Sequence, residues 1–309
     1  MFSILFPGQG SQTIGMAKEL FQNFSYVRDY FLNANEILNK NISKTIFDGP
    51  KEELDQTENT QPAIFLVSYS IFKVIEKETN FRLSEAKFFA GHSLGEYSAL
   101  CCAESISFDQ TIRLLKYRGE AMQNAFPAGE GGMVAILGES IDQIKRILKE
   151  KEDNLSCYIA NDNSNGQIVI SGKLKDLELF ENELKKMKIK NVRLPVSAPF
   201  HCPLMINATK KMKTIIQETQ FKNPIISIIS NVTAKPLKDS EVIKKLLIEQ
   251  IEKPVRWRES INNMINLGVK NFIEMGPGKV LSGLVKRIDR NVKLNQVNNL
   301  LDVKNLIND

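Results

Sequence analysis

Gly91-His92-Ser93-Leu94-Gly95 sets one hydroxyl between two glycines, with flanks that suit a sharp strand-to-helix turn. Before it, Lys87-Phe88-Phe89-Ala90 is short, apolar and strand-like. After it, Leu94 to Ala103 has helix-forming composition, with Leu94, Tyr97, Ala99, Leu100 and Cys101 available for burial. The glycines keep side chains out of a turn where backbones crowd, and the helix start leaves unpaired N–H groups beside the serine. Together these features spell a G-x-S-x-G nucleophile elbow with Ser93 as the attacking group. A serine hydroxyl needs a base that works near neutral pH, and the chain has only two histidines, His92 and His201. His92 is the serine's neighbour, and its side chain should leave the turn in another direction. His201 is the better base.

The elements that must carry these groups alternate between strand and helix over residues 1–124. A strand at 3–6 runs into the loop Pro7-Gly8-Gln9-Gly10-Ser11-Gln12, and helical patterns extend to about residue 40. Thr60 reads as an N-cap, with Pro62 in the first turn of a helix to residue 77; another helix spans 108–124. Alternation of this kind argues for an α/β fold, a parallel sheet covered by helices. Residues 125–197 follow a different order, with strand 133–137, helix 141–151, strand 156–160, turn 161–165, strand 167–171, helix 175–187 and strand 191–196. That βαββαβ order describes a ferredoxin-like small domain, 125–197, inserted into a core made of 1–124 and 198–309. Beyond it, Pro224 precedes an apolar run at 225–229 suited to a buried parallel strand. Helices near 241–251 and 260–267, a strand at 270–274 and a helix from 279 close the pattern. The Asn- and Lys-rich tail after Arg290 reads as surface helix or loosely ordered chain.

Composition narrows the function classes. The chain has 309 residues, 42% hydrophobic and 25% charged, as in ordinary globular proteins, and no apolar run long enough to cross a bilayer. The N-terminus lacks the basic region of a signal peptide. Four cysteines without a C-x-x-C suggest neither a disulfide framework nor a zinc site. The expected compartment is cytoplasmic, or an organelle reached with a transit peptide since removed. A net charge of +5 with lysine clusters at 185–188 and 210–213 suits solvated faces or the docking of an acidic partner. No recognition motif accompanies that charge, so neither nucleic acid nor membrane is an expected partner. Gly8-x-Gly10 has Thr13 where a dinucleotide fingerprint needs glycine, and Gly276-Pro277-Gly278-Lys279 lacks the spacing of a phosphate loop. No cofactor and no metal are expected.

Further stretches fall into one pattern: Phe6-Pro7-Gly8-Gln9-Gly10-Ser11-Gln12, the elbow continued through Glu96-Tyr97, Arg118-Gly119, and Val196-Ser197-Ala198-Pro199-Phe200-His201-Cys202. Pro254-Val255-Arg256-Trp257 and Glu274-Met275-Gly276-Pro277-Gly278-Lys279-Val280 complete it. In this order the chain, from residue 1 to about 290, closely resembles the malonyl-CoA:acyl carrier protein transacylases of type II fatty-acid synthesis. The resemblance implies an α/β-hydrolase-like core with an inserted ferredoxin-like domain. It also implies malonyl transfer from malonyl-CoA to the phosphopantetheine thiol of acyl carrier protein, through a malonyl-serine. By position it makes Ser93 the nucleophile, His201 the base and Arg118 the partner of the malonyl carboxylate. The N–H groups of Gln9 and Leu94 become the oxyanion hole, and a main-chain carbonyl, that of Gln250, orients the base in place of an acid.

Other positions carry two readings. His92 lines the acyl pocket or simply fills the turn, and Gln61 lies near the active site or merely starts a helix. Phe200 accompanies malonyl rather than methylmalonyl preference, or only packs. Lys286 and Arg287, at the end of the last core helix, are candidates for a transient contact with the acidic carrier, and the enzyme is expected to be a monomer.

Overall fold

In the computed structural model, which describes residues 1–151 and 155–307, the apolar N-terminus forms strand β1 (Phe2–Phe6), buried from Ser3 onward. Strand β2 (Phe88–Gly91) is buried throughout and pairs with β1 in parallel, Ser3 opposite Phe88 and Phe6 opposite Gly91. Parallel neighbours need a long crossover; here it is helical, and its longest piece is Thr57–Glu78. Next come β3 (Gly131–Leu137), β4 (Cys157–Ser164), β5 (Gln167–Lys173) and β6 (Lys190–Arg193). Helix Ile141–Lys149 joins β3 to β4, and helix Leu174–Lys186 joins β5 to β6. These four strands make a separate antiparallel sheet in the order β4-β5-β3-β6. The chain then returns through β7 (Ile228–Ile229), β8 (Pro236–Leu237), β9 (Asn271–Met275) and β10 (Lys293–Val297). The main sheet runs β10-β9-β1-β2-β7-β8 and is parallel except for β8.

The central strands are apolar almost without interruption because helices cover both faces. Alternation splits β1 between two cores: Ile4 and Phe6 join the cluster under helix Thr57–Glu78, while Leu5 joins Trp257, Phe272 and Leu281 on the other face. The small sheet does the same. Val134, Ile136, Ile168 and Ile170 pack on its own helices, whereas Met133, Ala135 and Val169 turn toward the main core. Among the described residues no helix is long and apolar enough to cross a membrane.

Four sequence expectations need correction. The long helix begins at Thr57, so Pro62 lies inside it, and the Thr60 hydroxyl bonds the Leu54 carbonyl instead of capping. Only Ile228–Ile229 of the 225–229 run is strand; Ile225 is 52% exposed and its N–H bonds the Ala103 carbonyl. Residues 161–164 are not a turn but the end of β4, where the Asp162 N–H pairs with the Val255 carbonyl of the core. Of the tail's two readings, surface helix holds for Leu300–Ile307, which buries Val303 and Leu306, but neither foresaw β10, a parallel edge strand on β9. Residues 308–309 of that tail lie outside the described residues.

Candidate active site

β2 turns into helix Gly95–Cys102 over three residues, and the turn puts Ser93 at φ 53°. A non-glycine residue is strained there, and the surroundings must hold it. They do: the Ser93 N–H donates to Asn231 Oδ1 at 2.7 Å, and Asn231 Nδ2 donates to the Gly91 carbonyl at 2.7 Å. Gly91 is obligatory, since a Cβ there would lie 1.9 Å from the Gly95 carbonyl carbon.

His201 follows the small unit in the chain and is also held at positive φ, 58°. Its Nε2 is 2.8 Å from Ser93 Oγ, and its Nδ1 is 2.8 Å from the Gln250 carbonyl oxygen. A carbonyl only accepts, so Nδ1 carries the proton and Nε2 turns a lone pair toward the hydroxyl. Burial and the nearby Arg118 cation lower the His201 pKa to about 3, against the support of the Gln250 carbonyl.

Arg118, 1% exposed, reaches the same point from helix Phe108–Gln123. Nη2 donates to Ser93 Oγ at 3.0 Å and to Gln250 Oε1 at 2.8 Å; Nη1 donates to Gln61 Oε1 at 2.8 Å. Each of these bonds ends on a neutral oxygen, and among the described residues no carboxylate forms an ion pair with the guanidinium; burial pushes its pKa down, with the nearby Tyr97 and Glu96 opposing. Gln61 can reach it because the two helices nearly touch: a Cβ on Gly119 would lie 2.6 Å from Glu58 Cα. The far side of Gln250 is acidic. Its Nε2 donates to Ser93 O at 3.1 Å and to Glu96 Oε2 at 2.7 Å, and burial raises the Glu96 pKa to about 7.

These groups open on a cavity of about 180 Å³ walled by the small sheet on one side and by loops and helices of the core on the other. Gln9 and Leu94 line it, and among the described residues their main-chain N–H groups meet no protein acceptor. Phe200 is buried in the same wall. His92 also lines the cavity but points away from Ser93: its Nε2 lies 2.9 Å from Asn163 Oδ1 and 3.3 Å from Asn161 Nδ2, and its ring packs near Trp257. Burial lowers its pKa. Lys286 and Arg287 are exposed on helix Val280–Ile288, whose Val280, Leu281 and Leu284 line the cavity; Arg287 bonds Gln167 at its edge. Asn161, Asn163, Asn231 and Glu96 were missed as site residues. The Asn-Asp-Asn run has turn composition, and only its place in a buried strand shows otherwise. Among the described residues no group of three or more His, Cys, Asp or Glu could hold a metal.

A strained serine with a fixed-tautomer imidazole beside it is equipment for acyl transfer, and the chain belongs to the acyl transferase family, whose domain model matches residues 4–301. The malonyl CoA-acyl carrier protein transacylase of Bacillus subtilis is 44% identical over 293 residues, covering 94% of this chain and 91% of that protein. The acyl-carrier-protein S-malonyltransferase of Bartonella henselae superposes with a TM-score of 0.96 at 40% identity, covering 99% and 98% of the two chains. A malonyl-transacylase solved in complex with its type II PKS acyl-carrier protein superposes at 0.95 with 37% identity, covering 99% of both chains. Within the family, this chain stands with the malonyl CoA-acyl carrier protein transacylases.

Proposed function

We propose that this protein moves the malonyl group of malonyl-CoA onto the phosphopantetheine thiol of acyl carrier protein, through an ester on Ser93, and so supplies the elongating unit of fatty-acid synthesis. The observation that carries this reading is Arg118: a buried cation 3.0 Å from the nucleophile, whose hydrogen bonds among the described residues end on neutral oxygens. An acyl group with a free carboxylate satisfies it, and burying that carboxylate elsewhere would be costly.

In the loading half, His201 Nε2 takes the Ser93 proton as Oγ attacks the thioester carbonyl. The N–H groups of Gln9 and Leu94 receive the charge on the carbonyl oxygen, each such donor being worth roughly 10²–10³ in rate. The C–S bond breaks, and the His201 imidazolium, steadied by the Gln250 carbonyl, returns its proton to the departing CoA sulfur. In the second half the carrier's thiol gives its proton to His201, its sulfur attacks the malonyl ester, and Oγ leaves with the proton. Such a route gives ping-pong kinetics.

The same reading takes the main sheet as an α/β-hydrolase-like core, 1–124 and 198–309, and residues 125–197 as a ferredoxin-like insert, which the β4-β5-β3-β6 order supports. Phe200 narrows the cavity against a branched acyl group, and Lys286 and Arg287 meet the carrier. Mass spectrometry after mixing with malonyl-CoA should find a malonyl adduct on the Ser93 peptide. Active protein that never carries it would refute the proposal.

A further inference from the structure

One buried acid near the elbow has no step in this mechanism. Glu96 is 3% exposed, in the first turn of helix Gly95–Cys102, and a single oxygen, Oε2, accepts from Gln250 Nε2 at 2.7 Å and from the Asn231 N–H at 3.2 Å. Each recipient holds a different part of the machinery. Gln250 presents its main-chain carbonyl to His201 Nδ1 and its side-chain Oε1 to Arg118. Asn231 clamps the strained turn through the Ser93 N–H and the Gly91 carbonyl. Chemistry dictates which way the Gln250 amide faces: a guanidinium only donates, so it takes the oxygen, and the acid takes the nitrogen.

We infer that Glu96 is a positioning residue for acyl loading: one buried oxygen, holding Gln250 and Asn231 together, sets His201 and Arg118 in register with Ser93. The inference rests on the transferase reading. What matters is the reach of that oxygen rather than its charge. An amide at position 96 offers an oxygen at the same place, able to accept both bonds. An acid one methylene shorter keeps the charge and withdraws the oxygen.

The test is the rate of malonyl loading on Ser93 at saturating malonyl-CoA, by quenched mixing and mass spectrometry, for wild type, Glu96→Gln, Glu96→Asp and Glu96→Ala. Melting temperatures are measured alongside. Asp and Ala should slow loading roughly ten- to a hundredfold, the worth of the two buried hydrogen bonds that lose their acceptor, whereas Gln should recover most of the rate. If Glu96→Ala does not fold, the order of Gln above Asp carries the test alone. Loading at the wild-type rate in every variant, with only the melting temperature lowered, would leave Glu96 a purely structural role. Asp loading faster than Gln would show that charge is what matters, and overturns the inference equally. A wild-type protein that forms no adduct defeats the transferase reading itself; a loaded wild type with indifferent variants defeats only the role of Glu96.

Discussion

At the scale of single residues, Ser93 Oγ is gripped from two sides, with His201 Nε2 2.8 Å away and Arg118 Nη2 donating to it at 3.0 Å. Replacing Arg118 with alanine should cut kcat/KM for malonyl-CoA by roughly a hundredfold or more, since two charge-assisted bonds to the carboxylate go. Acetyl-CoA should lose less and become the relatively better donor. Equal losses for both would contradict a carboxylate clamp. The pH dependence follows from the same contact. A histidine works as a base only above its pKa, and burial and Arg118 hold His201 down to about 3. Loading measured as kcat/KM should therefore stay level as pH falls through the ordinary histidine value of about 6.5, with the acid limb far below it. In Arg118→Gln, assayed with acetyl-CoA, the lost cation should move that limb to higher pH. A limb that stays put would remove Arg118 from the causes.

Between elements, the decisive contact is that of helix Thr57–Glu78 with helix Phe108–Gln123, which brings Gln61 to Arg118. Gly119→Ala tests it through two opposing effects. Helix propensity favours alanine by about 1 kcal/mol. Against that, its Cβ would sit 2.6 Å from Glu58 Cα and 2.7 Å from the Thr57 carbonyl oxygen, and backbone cannot swing aside as a side-chain tip can. Overpacking of this kind costs about 1–3 kcal/mol and should win. Thermal melts should show a destabilised protein, and kinetics a raised KM for malonyl-CoA as the helices part. A more stable protein with unchanged KM would mean that the helices tolerate separation.

Across the whole molecule, the cavity lies between the small sheet and the loops and helices of the core. The core brings Ser93, Arg118 and His201; the small sheet brings Met133, Asn161, Asn163 and Val169. The two are fastened by Arg258 on Asp162, 2.8 Å apart, and by main-chain bonds between β4 and Val255. Helix Val280–Ile288 borders the opening and carries the exposed Lys286 and Arg287. Reversing both charges should raise KM for the carrier, most visibly at low salt, while Ser93 loading from malonyl-CoA changes by less than about twofold. A parallel fall in both half-reactions would place the carrier elsewhere.

What could be read from residues alone was whatever local chemistry dictates. The glycines around Ser93 announce a turn too crowded for side chains, and two histidines leave few choices of base. Apolar β1 and β2 and the βαββαβ order running from β3 to β6 declare their periods. Local rules failed where a distant neighbour overrode them. Thr60 resembles a cap until Leu54 takes its hydroxyl, 161–163 resembles a turn until Val255 and His92 claim it, and the polar tail conceals a strand that β9 recruits. Asn231 and the side chain of Gln250 carry no mark in the chain, and Glu96 shows only as the end of the elbow motif, because their importance lies in hydrogen bonds spanning more than a hundred residues. Sequence determined which groups could react. Only the packing of two sheets and their helices decided which of them meet, since a hydrogen bond depends on separation in space and not along the chain.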